Sequence, residues 1–132
     1  MGVNGQTVTS VLEKYEAALN ASDTDAVMTL YDENGVFMPP HSQSTVGAEA
    51  VRTAYDAVFH AITLSVRFNI AEVVEMAPSW VFARTNSSGT ARNHATGLTS
   101  TEGNQELFIF RKAGDGTWKI ARYSFSTTNL PR

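Results

Sequence analysis

Glu106 is the residue of this sequence best suited to acid–base chemistry. It stands two and four residues before Phe108 and Phe110, and strand alternation puts all three on one face. A carboxyl group is therefore expected among phenyl rings, where desolvation raises its pKa and leaves it a neutral donor or a base. Two readings stay open: a site role, and a structural ion pair with Arg84, whose parity with Phe82 and Asn86 reads as inward. In the ion pair the guanidinium would hold Glu106 ionised, and the two could clamp a polar or anionic ligand. Tyr15 lies in an apolar stripe where its hydroxyl needs a partner, either Tyr55 or a ligand. His41 follows Pro39-Pro40; its imidazole suits proton transfer, but a loop histidine is more often simply solvated. Tyr31 and Tyr123 read as packing or pocket wall.

Other chemistries find little support. The histidines His41, His60 and His94 are 19 and 34 residues apart, which offers no ligand pair on one helix or strand, so no metal is expected. No cysteine is present, which removes disulfides, thiol nucleophiles and Cys-ligated clusters. Ser87, Ser88 and Thr90 lack the context of a nucleophile elbow, and no glycine-rich phosphate loop follows a strand. No cofactor is expected. Ten Lys and Arg against thirteen Asp and Glu give a net charge of −3, and the scattered basic residues argue against a nucleic-acid partner. Met1 to Gln6 has neither the charged nor the apolar region of a leader, and no run approaches the ~20 apolar residues of a membrane span; a cytoplasmic protein is expected, with no membrane partner.

The elements that must position these residues are readable from periodicity. Val8, Val11, Leu12, Tyr15, Ala18 and Leu19 recur at helical spacing and predict a helix over 7–21. Ser22-Asp23-Thr24-Asp25 signals the cap of a short second helix ending near Tyr31. Val36-Phe37-Met38 reads as a short strand stopped by Pro39-Pro40, with His41 to Thr45 as loop. Val51, Ala54, Tyr55, Val58, Phe59 and Ile62 predict a third helix after Gly47. The period then changes to two: strands are expected over 64–77, 80–89, 104–112 and 117–128, the last two joined by Gly114-Asp115-Gly116. Glu72 interrupts an apolar row and marks a bulge or an edge. Asp23, Asp25, Asp32 and Glu33 sit at helix starts and ends, where solvated acids are expected. The polar stretch Ala91 to Gly103 reads as a mobile loop beside the site. With 132 residues and 42% hydrophobic composition, one domain spanning 1–132 is expected. Its class is α+β, with helices gathered on one face of an antiparallel sheet curled enough to leave a conical cavity.

Three segments carry a resemblance. Lys14-Tyr15-Glu16-Ala17-Ala18-Leu19-Asn20-Ala21-Ser22-Asp23 resembles the opening helix and turn of the nuclear-transport-factor-2-like (NTF2-like, cystatin-like) superfamily, in particular its ketosteroid-isomerase-like and SnoaL-like branches. Gly47-Ala48-Glu49-Ala50-Val51-Arg52 is similar to the start of its third helix, and Gly116-Thr117-Trp118-Lys119-Ile120 to the start of its last strand. The resemblance covers essentially the whole chain and implies a cone of three N-terminal helices packed on a strongly curved antiparallel sheet. It also implies roles: Tyr15 as a hydrogen-bond donor to a developing enolate, Tyr55 as its support, and Glu106 as the second oxyanion donor. The isomerase base, an aspartate before a proline, would fall at Pro39 or Met38, and neither side chain can move a proton. Steroid isomerisation by that mechanism is not expected.

These readings converge on a pocket protein for a small, mostly apolar ligand, with Glu106, Tyr15 and His41 as candidate catalytic residues. Tyr55, Arg84, Met38, Phe59, Phe82, Asn86, Phe108, Tyr123 and Phe125 are the candidate ligand contacts. The chemistry would be cofactor-free isomerisation, dehydration or cyclisation of a small carbonyl compound; the alternative is a non-catalytic association or binding module. An outer sheet face carrying Val81, Ala83, Leu107, Ile109, Trp118 and Ile120 would make the protein a homodimer. Trp80 and Trp118 are expected to anchor sheet edges or that interface.

Overall fold

The structure, a computed structural model, describes residues 3–130, excepting the side chains of residues 3, 4 and 6. Met1 and Gly2, part of the segment read as lacking a leader, lie outside the described residues. Helix α1 (Val3–Asn20) buries Val8, Val11, Leu12, Tyr15, Ala18 and Leu19 along one stripe, as the 3.6-residue spacing requires. Ser22 takes a left-handed conformation (φ 53°). The cap of α2 (Thr24–Met28) is therefore Asp23, whose carboxylate accepts from the Ala26 N–H at 3.0 Å. This corrects the assignment of the cap to Ser22. Strand β1 (Tyr31–Met38), β2 (Thr45–Val46) and helix α3 (Ala48–Ala61) follow. Four long strands complete the chain: β3 (Ile62–Ala77), β4 (Trp80–Asn93), β5 (Thr99–Lys112) and β6 (Trp118–Thr127).

The six strands form one sheet in the order β2-β1-β6-β5-β4-β3. All pairings are antiparallel except β1 with β6. The stretch expected to be a mobile loop is instead the continuation of β4 and β5, which pair from Arg92↔Thr99 inward. Ala91 is buried there. The remaining turn is tied to the end of α3: His94 donates its backbone N–H to Ala61 O, and its ring bonds His60 O and Thr63 Oγ1, each at 2.7 Å. Cross-strand pairing supplied what local composition did not suggest.

Two expectations about facing are reversed. On β4 the inward row is Val81, Ala83, Thr85 and Ser87, all buried, while Phe82, Arg84 and Asn86 face out. Small side chains suit the crowded concave side of a bent sheet, where Phe108, Phe110 and Tyr123 from β5 and β6 already fill the space. On β6 the register with β5 shifts between Ile109 and Phe110, leaving Ala121 unpaired. Ile120 and Tyr123 consequently both face inward, and Trp118 is buried with them. A second register shift falls between Ile70 and Glu72 of β3, the position at which Glu72 breaks the apolar row. Beyond it Glu72 and Val74 lie across from Arg84 and Phe82 on the outer face.

Helix α1 closes the concave side by standing in for a seventh strand. The Asn20 carboxamide both donates to Val66 O (2.9 Å) and accepts from Val66 N–H (2.8 Å), and Glu16 accepts from Phe68 N–H at 2.7 Å. These side chains occupy backbone groups that the edge strand β3 would otherwise expose. Opposite Val66, Gly89 has φ 154°. A Cβ there would stand 2.0 Å from Ser65 O and 2.7 Å from Val66 Cα, so the close approach of β3 and β4 requires glycine. Gly89→Ala is expected to lower stability by roughly 3 kcal/mol, a fall of about 10 °C in Tm; a thermal melt within a few degrees of wild type would refute this account of the bend.

Candidate functional site

Between α1, α3 and the concave sheet lies a cavity of about 350 Å³. Its lining includes Tyr15, Tyr55, Glu106, Tyr123 and Phe125 from the expected set, with His41 at its lip beside Pro39 and Pro40. Phe37, Phe68 and the β3 row Ile62, Leu64 and Val66 supply most of the remaining apolar wall. Phe59 is buried against Tyr55, with ring centroids 6.1 Å apart, and Phe108 stacks on Tyr123 at 4.1 Å. Both support the wall from behind. Met38 is half-buried and outside the lining. Phe82, Arg84 and Asn86 are displaced to the convex side by the parity of β4 and do not reach the cavity.

Glu106 is only 4% exposed. Its partners are Thr85, donating to Oε1 at 2.6 Å, and Ser87, donating to Oε2 at 2.5 Å. The ion pair weighed for Arg84 does not form; Arg84 instead meets Glu72 at 3.1 Å on the solvent side. Without a neighbouring cation, burial dominates and pushes the Glu106 carboxyl above its usual range, while the Ser87 and Thr85 hydroxyls pull it partly back. Neither hydroxyl is legible as a partner from the sequence, because its pattern turns Phe82, Arg84 and Asn86 inward and Thr85 and Ser87 out.

The tyrosines form a chain. Tyr31 Oη lies 2.7 Å from Tyr55 Oη, which lies 2.6 Å from Tyr15 Oη. All three rings are buried. Tyr31, read as packing or wall, is thus the inner end of a hydroxyl relay. When Tyr31 donates to Tyr55 and Tyr55 to Tyr15, the Tyr15 proton is left for a ligand oxygen. Burial raises the Tyr15 pKa, the Tyr55 and Tyr123 hydroxyls lower it, and the charge of Glu106 raises it again. Burial likewise keeps Tyr31, Tyr55 and Tyr123 protonated. The cavity floor therefore presents phenol donors beside one carboxyl group.

Sequence reasoning also missed Glu102 and Asn104, which line the same cavity. Their signal is parity: both share the facing of Glu106 on β5, but Glu102 lies in the stretch that composition reads as loop, and Asn104 stands at the first position of the expected strand. His41 is exposed and takes a left-handed backbone conformation, φ 62°. Among the described residues no three His, Asp or Glu side chains converge on a point that could hold a metal ion. No helix among them is long and apolar enough to cross a membrane.

A family profile described as the SnoaL-like domain matches residues 12–123. The solved structure of a ketosteroid isomerase-like protein from Erwinia carotovora atroseptica SCRI1043 is 32% identical, covering 98% of this chain and 100% of that one, with a TM-score of 0.94. An NTF2-like superfamily protein from Salmonella enterica superposes with a TM-score of 0.82 at 14% identity, over 97% of this chain and 93% of that one. A provisionally named calcium/calmodulin dependent protein kinase II association domain from Xanthomonas campestris superposes with a TM-score of 0.77 at 18% identity, over 94% and 87%. The fold is the NTF2-like α+β cone. No curated protein sequence matches the chain.

The raised Glu106 pKa sets a sign for stability against pH. The folded state holds the carboxyl proton to higher pH than the unfolded chain does, so this group's contribution is full below the ordinary carboxyl value and is lost as pH rises through the folded pKa. Glu106→Gln is therefore expected to gain stability relative to wild type as pH rises across that window, read as the difference in Tm between the two proteins at each pH. A constant difference would contradict the assigned direction.

Proposed function

Because the chain belongs to the SnoaL-like domain family, we propose that its cavity binds a small, mostly apolar carbonyl compound and moves a proton at the carbon beside the carbonyl without a cofactor. The observation that carries this reading is a carboxyl group, 4% exposed, lining the same cavity as the end of a three-tyrosine hydroxyl chain. Tyr15 donates to the carbonyl oxygen and stabilises the enolate that forms. Glu106 takes the carbon-bound proton, and its raised pKa brings it closer to the working pH of a general base. Returning the proton to the same or a conjugated carbon gives exchange or isomerisation; expulsion of a β-hydroxyl gives dehydration. His41, at the lip, is the second candidate acceptor. Steroid isomerisation lies outside the proposal, since Pro39 or Met38 stands where the resemblance places an aspartate base.

One observation favours a second reading. Thr85 and Ser87 already satisfy both Glu106 oxygens, so the carboxyl needs no ligand, and the cone can serve as a binding module. Deuterium exchange at the activated carbon of 2-tetralone, a bicyclic ketone, followed by NMR, separates the two. Acceleration over buffer is expected, with a loss of about a hundred-fold in Glu106→Gln. Exchange undiminished in that variant would remove Glu106 from the mechanism, and no acceleration by wild type would leave the binding module.

We also propose that the protein is a homodimer through its convex sheet face. Val74, Met76, Trp80 and Leu107 are between 38% and 51% exposed there, with Phe82 and Ile109 half-buried among them, and a soluble chain covers such a face. Some proteins of this fold are named as association domains. Light scattering is expected to give twice the chain mass for wild type and the single chain mass for Leu107→Asp; a monomer at every wild-type concentration would exclude the dimer.

A further inference from the structure

The inward row of β5 runs from polar to apolar toward the floor of the cavity: Glu102, Asn104, Glu106, Phe108, Phe110. The first three line the cavity, and the last two are buried in the core behind it. Glu102 is half-buried and held by Ser100, whose hydroxyl donates to Oε1 at 3.1 Å. The groups nearest in type are Asn104, Thr127 and the imidazole of His41. The lining contains two carboxyl groups and no Lys or Arg. Arg84, the one cation expected there, points to the convex side against Glu72. An anionic ligand would therefore enter a low-dielectric space past one carboxylate toward another, with no guanidinium or ammonium to offset its desolvation. A neutral ligand carrying a donor would be accepted by the same groups.

Size narrows the class further. At ~30 Å³ per liquid water, 350 Å³ corresponds to about a dozen waters, and at protein packing density to an organic molecule of about 15 non-hydrogen atoms. Glu102 and Glu106 are four residues apart on one strand, roughly 13 Å. A ligand lying along this row, its outer donor at Glu102 and its oxygen at the Tyr15 hydroxyl beside Glu106, has room for two fused rings, in keeping with about 15 non-hydrogen atoms.

We propose that Glu102 is a charge filter at the mouth of the cavity, selecting a neutral two-ring ligand with an oxygen at its deep end and a hydrogen-bond donor at its outer end. Anionic compounds, free carboxylic acids and phosphate esters among them, are excluded. The inference rests on the reading of the cavity as a ligand site and deepens it, because Glu102 acts on ligand choice and not on the proton transfer assigned to Glu106.

Two isosteric probes test it: 6-hydroxy-2-naphthamide and 6-hydroxy-2-naphthoate, titrated at neutral pH by their own fluorescence. The amide is expected to bind wild type at least about ten-fold more tightly than the carboxylate, about 1.4 kcal/mol. In Glu102→Gln the preference should shrink by about three-fold or more, Glu106 still disfavouring the anion, and in Glu102→Lys it should shrink further still. Two variants guard against a fold lost in one, and unchanged far-ultraviolet circular dichroism confirms both. His41→Gln should keep the wild-type preference, which separates the carboxylate from the imidazole. Equal binding of both probes to wild type, or a preference undiminished in both Glu102 variants, would overturn the filter while leaving the cavity as a site. Binding of neither probe would overturn the filter and the ligand-site reading together.

Discussion

A carboxyl group withdrawn from water must lose its charge or find donors, and at Glu106 the protein meets that constraint with two hydroxyls and no cation. Thr85 and Ser87 are short enough to face the concave side of β4 beneath the helices, and each offers one O–H to one carboxyl oxygen. An arginine there would have settled the group as a permanent anion. Hydroxyls leave it adjustable, since they can donate to the charged form or accept from the neutral one.

The cavity around that carboxyl is shaped by the edge of the sheet. Asn20 and Glu16 bond the outward backbone groups of β3 as a neighbouring strand would, which brings α1 over the concave side without a loop to hold it. Gly89 lets β4 pass so close to β3 that a methyl group would collide with backbone. Bending the sheet and capping its edge with helix side chains are thus one operation, and the cavity is the space left between them.

The tyrosine chain gives this space its second property. Hydroxyls at 2.6 and 2.7 Å polarise one another, and burial holds them protonated, so the strength of Tyr15 as a donor depends in part on Tyr31, which lies outside the cavity lining. Related cones carry other labels and other partners, which fits a scaffold whose chemistry is decided by the few side chains at its base. At the base of this cone stand Tyr15 and Glu106, and Pro39 follows the end of β1 at its lip.

Local pattern was enough for much of this. The 3.6-residue stripe through Tyr15 and the parity of Glu106 with Phe108 and Phe110 each depend on neighbours along the chain, so both were readable, as was the bulge announced by Glu72. What failed depended on neighbours across the sheet. The extension of β4 and β5 through a polar stretch comes from pairing, which serine and threonine accept as readily as valine when the partner strand is present. The facing of Arg84 followed from crowding on a concave surface, and the shared facing of Ile120 and Tyr123 from an unpaired Ala121. The sequence alone determined which residues are able to move a proton, because that is intrinsic to a side chain. Only the tertiary structure decided which of them share one cavity, because strand register, bulges and curvature are set by contacts between segments far apart in the chain.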